Sequence, residues 1–238
     1  MAKIKNSKPL ALVFDLDDTL YSKADVFFNT FQKFAQTSLS PQELYHVYSQ
    51  QSEVAFQLFN QEQLTLEESH VYRYSHLFDE LGITLTDQEI KKFIHSYNFQ
   101  QTQISLSQDW KKLLETLKDQ YQLAILSNGP SQHQRHKLDA LNIEPFIPEN
   151  KWFISEDLGF HKPHYQSFLA VEESLGLHPH QIVMVGDTLE ADITGAQKYG
   201  WKSIWYQEHR QQFPTAHSAS YKTAFKPQDI LRLLDSPE

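Results

Sequence analysis

Asp15, Asp17 and Asp18 crowd a single turn, Asp15-Leu16-Asp17-Asp18-Thr19, directly after the apolar run Leu10-Ala11-Leu12-Val13-Phe14. Such a run reads as a buried strand, which puts three carboxylates at its C-terminal end. Carboxylates this close repel one another and are costly to desolvate. A solvated acidic turn accounts for them on residue type alone. The chemical alternative is a hard divalent cation, which takes oxygen ligands and reverses the local electrostatics.

Three later segments favour the chemical reading, because each follows its own apolar run. Leu123-Ala124-Ile125-Leu126 leads into Ser127-Asn128-Gly129, and Trp152-Phe153-Ile154 is followed by Lys162-Pro163. Ile182-Val183-Met184-Val185 leads into Gly186-Asp187, with Asp192 five residues on. In open α/β sheets, ligands sit outside the carboxyl ends of the strands. Four polar clusters at four such ends converge on one site.

The elements that would position them alternate after residue 105. Helices are expected at Gln108–Asp119, Ser131–Leu141, 163–175 and 191–199, and strands at 123–126, 152–154, 182–185 and 203–206. Amphipathic helix returns at Pro227–Leu234. This alternation implies a mostly parallel sheet covered on both faces. Between Leu20 and Ser105 the pattern is helical, with segments at about 24–38, 41–60, 66–81 and 87–98. Three capping boxes mark helix starts there: Ser40 with Glu43, Thr65 with Glu68, and Thr86 with Glu89. Pro41 suits a first helical position and Gly82 a left-handed stop. Aromatic residues at helical spacing, among them Phe27, Phe28, Phe31, Phe34, Phe56, Phe59, Tyr74 and Phe78, read as this segment's own core.

The motifs resemble those of the haloacid dehalogenase superfamily, in family order, and within it the phosphatases. Asp15-Leu16-Asp17-Asp18-Thr19 is similar to the first motif, Ser127-Asn128 to the second and Lys162 to the third. Gly186-Asp187-Thr188 with Asp192 is similar to the fourth. Ser155-Glu156-Asp157-Leu158-Gly159 and the stretch from Gly186 to Ile193 look like bacterial nucleotidase-type members. The resemblance covers residues 8–20 and about 105–206. It implies an α/β, Rossmann-like core at 1–20 and 105–238, with an inserted all-α helical type-one cap at 21–104.

The resemblance also implies roles. Asp15 would be the nucleophile, forming an aspartyl phosphate. Asp17 would act as acid and then base, oriented by Thr19. Lys162 would supply fixed positive charge beside nucleophile and phosphate. Leu16, Thr19, Ser127, Asn128 and Lys162 form the expected phosphate-binding set. Mg²⁺ would be held by Asp15, Asp187 and the Asp17 backbone carbonyl, with Asp192 positioning a metal-bound water from the first turn of the next helix. On residue type alone, Asp192 could equally be a helix N-terminal carboxylate. Asp18 has no clear job. Thr188 and Ala191 depart from the serine and asparagine commoner in the family, which bears on the substrate subgroup. His133, Arg135 and His136 read as a solvated helix face.

Composition sets limits. The 238 residues are 40% hydrophobic and 21% charged, as in a soluble globular chain. A net charge of −9 without a basic stripe argues against nucleic acid. The chain contains no cysteine, so thiol catalysis and disulfides are excluded. The basic start Met1–Lys8 is followed by an apolar run that Asp15 interrupts too early for an export signal. No stretch approaches the roughly 18 apolar residues of a membrane span. The twelve histidines show no zinc-type spacing. The expectation is a cytoplasmic, Mg²⁺-dependent phosphomonoesterase, monomeric or homodimeric, acting on a small metabolite such as a nucleoside 5′-monophosphate. Its rivals are a phosphosugar mutase, which uses the same aspartate pair, and an idle binding or regulatory protein on the same scaffold.

Overall fold

A computed structural model of the protein describes residues 9–208 and 221–235. Met1–Lys8, the basic start, lies outside the described residues. The apolar runs form six strands: β1 (Ala11–Phe14), β2 (Gln122–Ser127), β3 (Trp152–Ile154), β4 (Ile182–Gly186), β5 (Lys202–Tyr206) and β6 (Lys222–Ala224). They hydrogen-bond in the order β3-β2-β1-β4-β5-β6, every neighbouring pair parallel. The chain winds outward from β1 to β3, then returns to the other side of β1 as β4 and winds the opposite way. β1 and β4 therefore flank the switch point at which open α/β sheets leave a ligand crevice. Their register pairs Phe14 with Val185, which brings Asp15 level with Gly186.

The chain divides into two compact units, residues 23–103 and the remainder on either side. The inserted unit contains α1 (Lys23–Phe31), α2 (Pro41–Asn60), α3 (Leu66–Glu80) and α4 (Asp87–Gln101). All three capping boxes form, each hydroxyl and glutamate satisfying helix-start amides reciprocally. Gly82 closes α3 at φ +67°, a conformation glycine adopts without strain. The interior is aromatic, with Phe27 stacked on Tyr48 at 4.1 Å between centroids and Phe31 on Phe78 at 5.7 Å. Tyr48 and Tyr97 share a 2.8 Å hydroxyl contact inside it. α1 stops at Phe31, short of the expected residue 38. Thr30 donates its hydroxyl to the Val26 carbonyl, and the weaker helix formers Thr37 and Ser38 follow.

The second unit surrounds the sheet with α5 (Gln108–Lys118), α6 (Ser131–Ala140), α7 (Ser155–Leu158), α8 (Tyr165–Leu175), α9 (Gly195–Lys198) and α10 (Pro227–Asp235). Alternate strand residues point to opposite faces. Ala11, Val13, Ala124, Leu126, Ile182 and Met184 pack with Phe168, Val171 and Leu175 of α8 and with Trp201. Phe14, of the other parity, meets Trp110 of α5 edge-on at 5.8 Å. All four tryptophans of the chain, Trp110, Trp152, Trp201 and Trp205, are buried in this unit. Two short elements escape the sequence pattern: β6, whose Lys-Thr-Ala carries one apolar residue, and α7. The helix expected at 191–199 is instead a π-helical segment, Leu189–Thr194, followed by the single turn of α9.

Candidate active site

Asp15 follows β1 and continues its ladder, the backbone N–H donating to the Val185 carbonyl at 2.9 Å. Only 8% of the residue is exposed. Lys162, itself 3% exposed, places Nζ 2.6 Å from Asp15 Oδ1 and 2.7 Å from Asp192 Oδ1. Burial pushes the Asp15 carboxyl up to about 7, against the pull of the Lys162 charge. Burial works against the lysine's charge too, but Asp15 and Asp192 outweigh it and its pKa ends raised.

Asp187 completes the group. Asp15, Asp187 and Asp192 each offer a carboxylate oxygen, all within 4.8 Å of one another. With Asp17 these make four carboxylates against two ammonium groups, Lys162 and Lys137. The oxygen-only donors are those a hard cation takes. The residues present therefore fit such an ion.

Gly186 permits this arrangement. A Cβ there would lie 2.4 Å from Asp192 Oδ2, so the carboxylate packs directly over the end of β4. The Thr188 N–H donates to that oxygen at 3.0 Å, and the Asp192 N–H returns to the Thr188 carbonyl at 2.9 Å. Asp192 thus sits in the widened π-helical turn, not in the first α-helical turn expected of it. Trp205 holds the neighbouring Asp187 carbonyl through an indole N–H at 2.8 Å.

Asp18 adopts φ 56°, a left-handed conformation that aspartate tolerates, and turns the chain after Asp17. The Asp17 carboxylate is held from three directions. Lys137 places Nζ 2.7 Å from both oxygens, Gln134 donates Nε2 to Oδ2 at 3.1 Å, and the Tyr21 hydroxyl donates to Oδ1. One expectation is corrected here. Thr19 does not orient Asp17; its buried hydroxyl has no hydrogen-bond partner among the described residues. Tyr21 is buried against the first motif, its hydroxyl engaged by Asp17.

Of the expected phosphate ligands, Ser127 ends β2 at 1% exposure, its Oγ accepting from Gln134 Nε2 at 2.7 Å. The Asn128 side chain is committed to the Lys162 backbone, with bonds of 2.9 Å to its carbonyl and 2.8 Å from its N–H. That clamp positions the lysine loop and leaves the Asn128 backbone N–H as the group available to phosphate. The Leu16 side chain is fully buried, so its backbone N–H is likewise the group that could contribute.

Sequence reasoning missed Gln134 and Lys137. Their i, i+3 spacing puts both on one face of α6, just beyond Ser127-Asn128, but nothing in that spacing marks the face as buried. Arg135, on another face, pairs with Glu149 at 2.8 Å and Asp157 at 2.9 Å. His136 is exposed.

Comparison with known proteins accords with this geometry. The family model of haloacid dehalogenase-like hydrolases matches residues 12–206. The pyrimidine 5′-nucleotidase PynA of Streptococcus pneumoniae is 27% identical over 232 residues, 94% of each chain. The N-acylneuraminate-9-phosphatase of Rattus norvegicus is 28% identical over 212 residues, 84% of this chain and 83% of that protein. Among solved structures, the HAD-hydrolase YfnB of Bacillus subtilis, bound to magnesium, has a TM-score of 0.73 at 24% identity. That match covers 97% of this chain and 100% of the other, and speaks to the fold. With the motif carboxylates gathered at the switch point of a parallel sheet, and a family match running from β1 to β5, the chain belongs to the haloacid dehalogenase-like hydrolases.

Proposed function

We propose that this hydrolase is a phosphomonoesterase working through an aspartyl phosphate on Asp15, and that its substrate is a small phosphorylated metabolite of the nucleoside 5′-monophosphate class. The observation that carries the reading is the pairing of two aspartates, two residues apart, with two different buried lysines. A surface ion pair needs no such burial, whereas two carboxylates with separate tasks need separate environments.

In the first step an Asp15 oxygen forms a bond to phosphorus while the ester P–O bond breaks. Asp17 gives its proton to the departing alcohol oxygen. In the second, Asp17 takes a proton from water, the water oxygen bonds to phosphorus and the Asp15–phosphorus bond breaks. The same group acts as acid and then base because leaving group and water occupy the same side in turn. Lys162 offsets repulsion between the carboxylate nucleophile and the phosphate. Asp15, Asp187 and the Asp17 backbone carbonyl would hold Mg²⁺, with Asp192 behind them, and the ion would supply positive charge to the phosphoryl oxygens.

The helical insert is the part we assign to substrate choice, as a cap. The core motifs address phosphate and metal, which all substrates share, so the leaving group has to be read by residues outside them. The nucleotide preference is supported by likeness to the pneumococcal pyrimidine nucleotidase along nearly the whole chain. The direct test is phosphate release from p-nitrophenyl phosphate and a panel of phosphorylated metabolites, with and without Mg²⁺. Asp15→Asn should lower turnover by roughly 10⁴-fold or more while leaving the fold intact. A variant retaining a tenth of wild-type turnover would refute the assigned nucleophile.

A further inference from the structure

Lys137 is a buried cation that the motifs do not account for. Only 3% of it is exposed, and its ammonium lies 2.7 Å from both oxygens of Asp17. A contact to both oxygens fixes the plane of the carboxylate, where a contact to one would leave it free to rotate. Gln134, one helical turn earlier and 1% exposed, donates to Asp17 Oδ2 at 3.1 Å. The same Nε2 lies 2.7 Å from Ser127 Oγ and 2.9 Å from the Asn128 carbonyl. Its Oε1 is buried without a partner among the described residues, a cost that a leucine of similar size would not incur. Packing alone therefore does not call for glutamine there.

We propose that Lys137 and Gln134 are positioning residues for Asp17: the lysine spans its two oxygens, and the glutamine ties the same carboxylate to Ser127, so that the acid and the phosphate seat are held as one unit. The inference rests on the acid–base role proposed for Asp17 above. α6 then does more than cover the sheet, because its first two turns carry the alignment on which proton transfer depends. Misplacement by about an ångström is enough to cost on the order of 10²-fold in rate.

The test is a double-mutant cycle on the full chain, measuring kcat and KM for an alkyl phosphate and for p-nitrophenyl phosphate, with thermal melting as a fold control. Lys137→Met should lower kcat for the alkyl phosphate by about 10- to 100-fold with little change in KM. The loss should be smaller for p-nitrophenyl phosphate, whose leaving group needs less protonation. In an Asp17→Asn background the same substitution should cost almost nothing further, because the group it positions is gone. Lys137→Arg should recover part of the rate, since a guanidinium fork can also span two carboxylate oxygens. A Lys137→Met loss as large in the Asp17→Asn background as in the wild type would overturn the inference, as would equal losses for both leaving groups. If Lys137→Met melts below the assay temperature, Gln134→Leu enters the same cycle and the same two outcomes decide. An Asp17→Asn variant of undiminished activity would instead sink the acid–base assignment itself, so the two failures read differently.

Discussion

At Asp15, burial and pairing pull in opposite directions. Burial wins, holding the carboxyl up at about 7 although Lys162 is 2.6 Å away. A cation can use that oxygen only after the proton has left, so metal binding should release protons. The sign follows: Mg²⁺ affinity should weaken as pH falls from about 8 to 6, by at most about tenfold per unit for one proton displaced. Calorimetric titration at several pH values checks this, and a pH-independent affinity would count against Asp15 as a ligand. Gly186 makes a steric prediction. An added Cβ would meet Asp192 Oδ2 at 2.4 Å and Cγ at 2.5 Å, and that carboxylate is held by Lys162 and Thr188. Gly186→Ala should therefore impair Mg²⁺ binding and turnover together; normal metal affinity in the variant would show that Asp192 has no part in the site.

Elements carry the second kind of prediction. In α3, burial and then the charge of Arg73 hold His70 down to about 4, against an ordinary value of 6.5. The unfolded chain thus takes up a proton between those values and the folded chain does not. Stability from this group is present above pH 6.5 and lost as pH falls towards 4. Each capping-box glutamate is also held below its usual pKa, by hydrogen bonds from its own cap serine or threonine, and adds acid sensitivity at lower pH. Helical circular dichroism should show melting that declines from pH 6.5 downwards, and His70→Gln should flatten the upper part of that decline. An unchanged profile would mean that His70 is protonated in the folded state.

The same elements show what could be read from the chain in advance. Ser40, Thr65 and Thr86 announced three helix starts because a capping box is a local pattern, complete within four residues. The parallel sheet was legible because runs buried on both faces are continuously apolar. Lys137 was not, since a lysine on a helix ordinarily faces water and its burial follows from where α6 docks. The role of Asn128 was half legible: its residue type advertised hydrogen bonding, but its partner lies 34 positions away in the Lys162 loop. The π-helical turn carrying Asp192 has no sequence pattern separating it from an ordinary first turn.

For the whole molecule, the insertion of one unit within the other sets the expectation. The chain leaves the α/β unit after Ser22 and re-enters it at Ile104, while the motif residues named above lie outside the insert. Substrate choice should then be transferable with residues 23–103. Grafted onto a related phosphatase core of different preference, this segment should carry its substrate ranking with it. A folded, active chimera that kept the ranking of the recipient core would refute the assignment.

The distribution of tryptophan gives the molecule a built-in optical label. Indole absorbs further to the red than phenol, and every indole of the chain belongs to the α/β unit. Red-edge excitation therefore reports that unit alone, while the insert, with tyrosines such as Tyr48, Tyr74 and Tyr97, stays dark. Fluorescence and helical dichroism followed through one denaturant titration would show whether the two units unfold together or in turn. Trp205, hydrogen-bonded to the Asp187 carbonyl, extends the label to the reaction centre. A cation arriving at Asp187 should change the emission of the native enzyme, so occupancy could be followed by light without a substrate present.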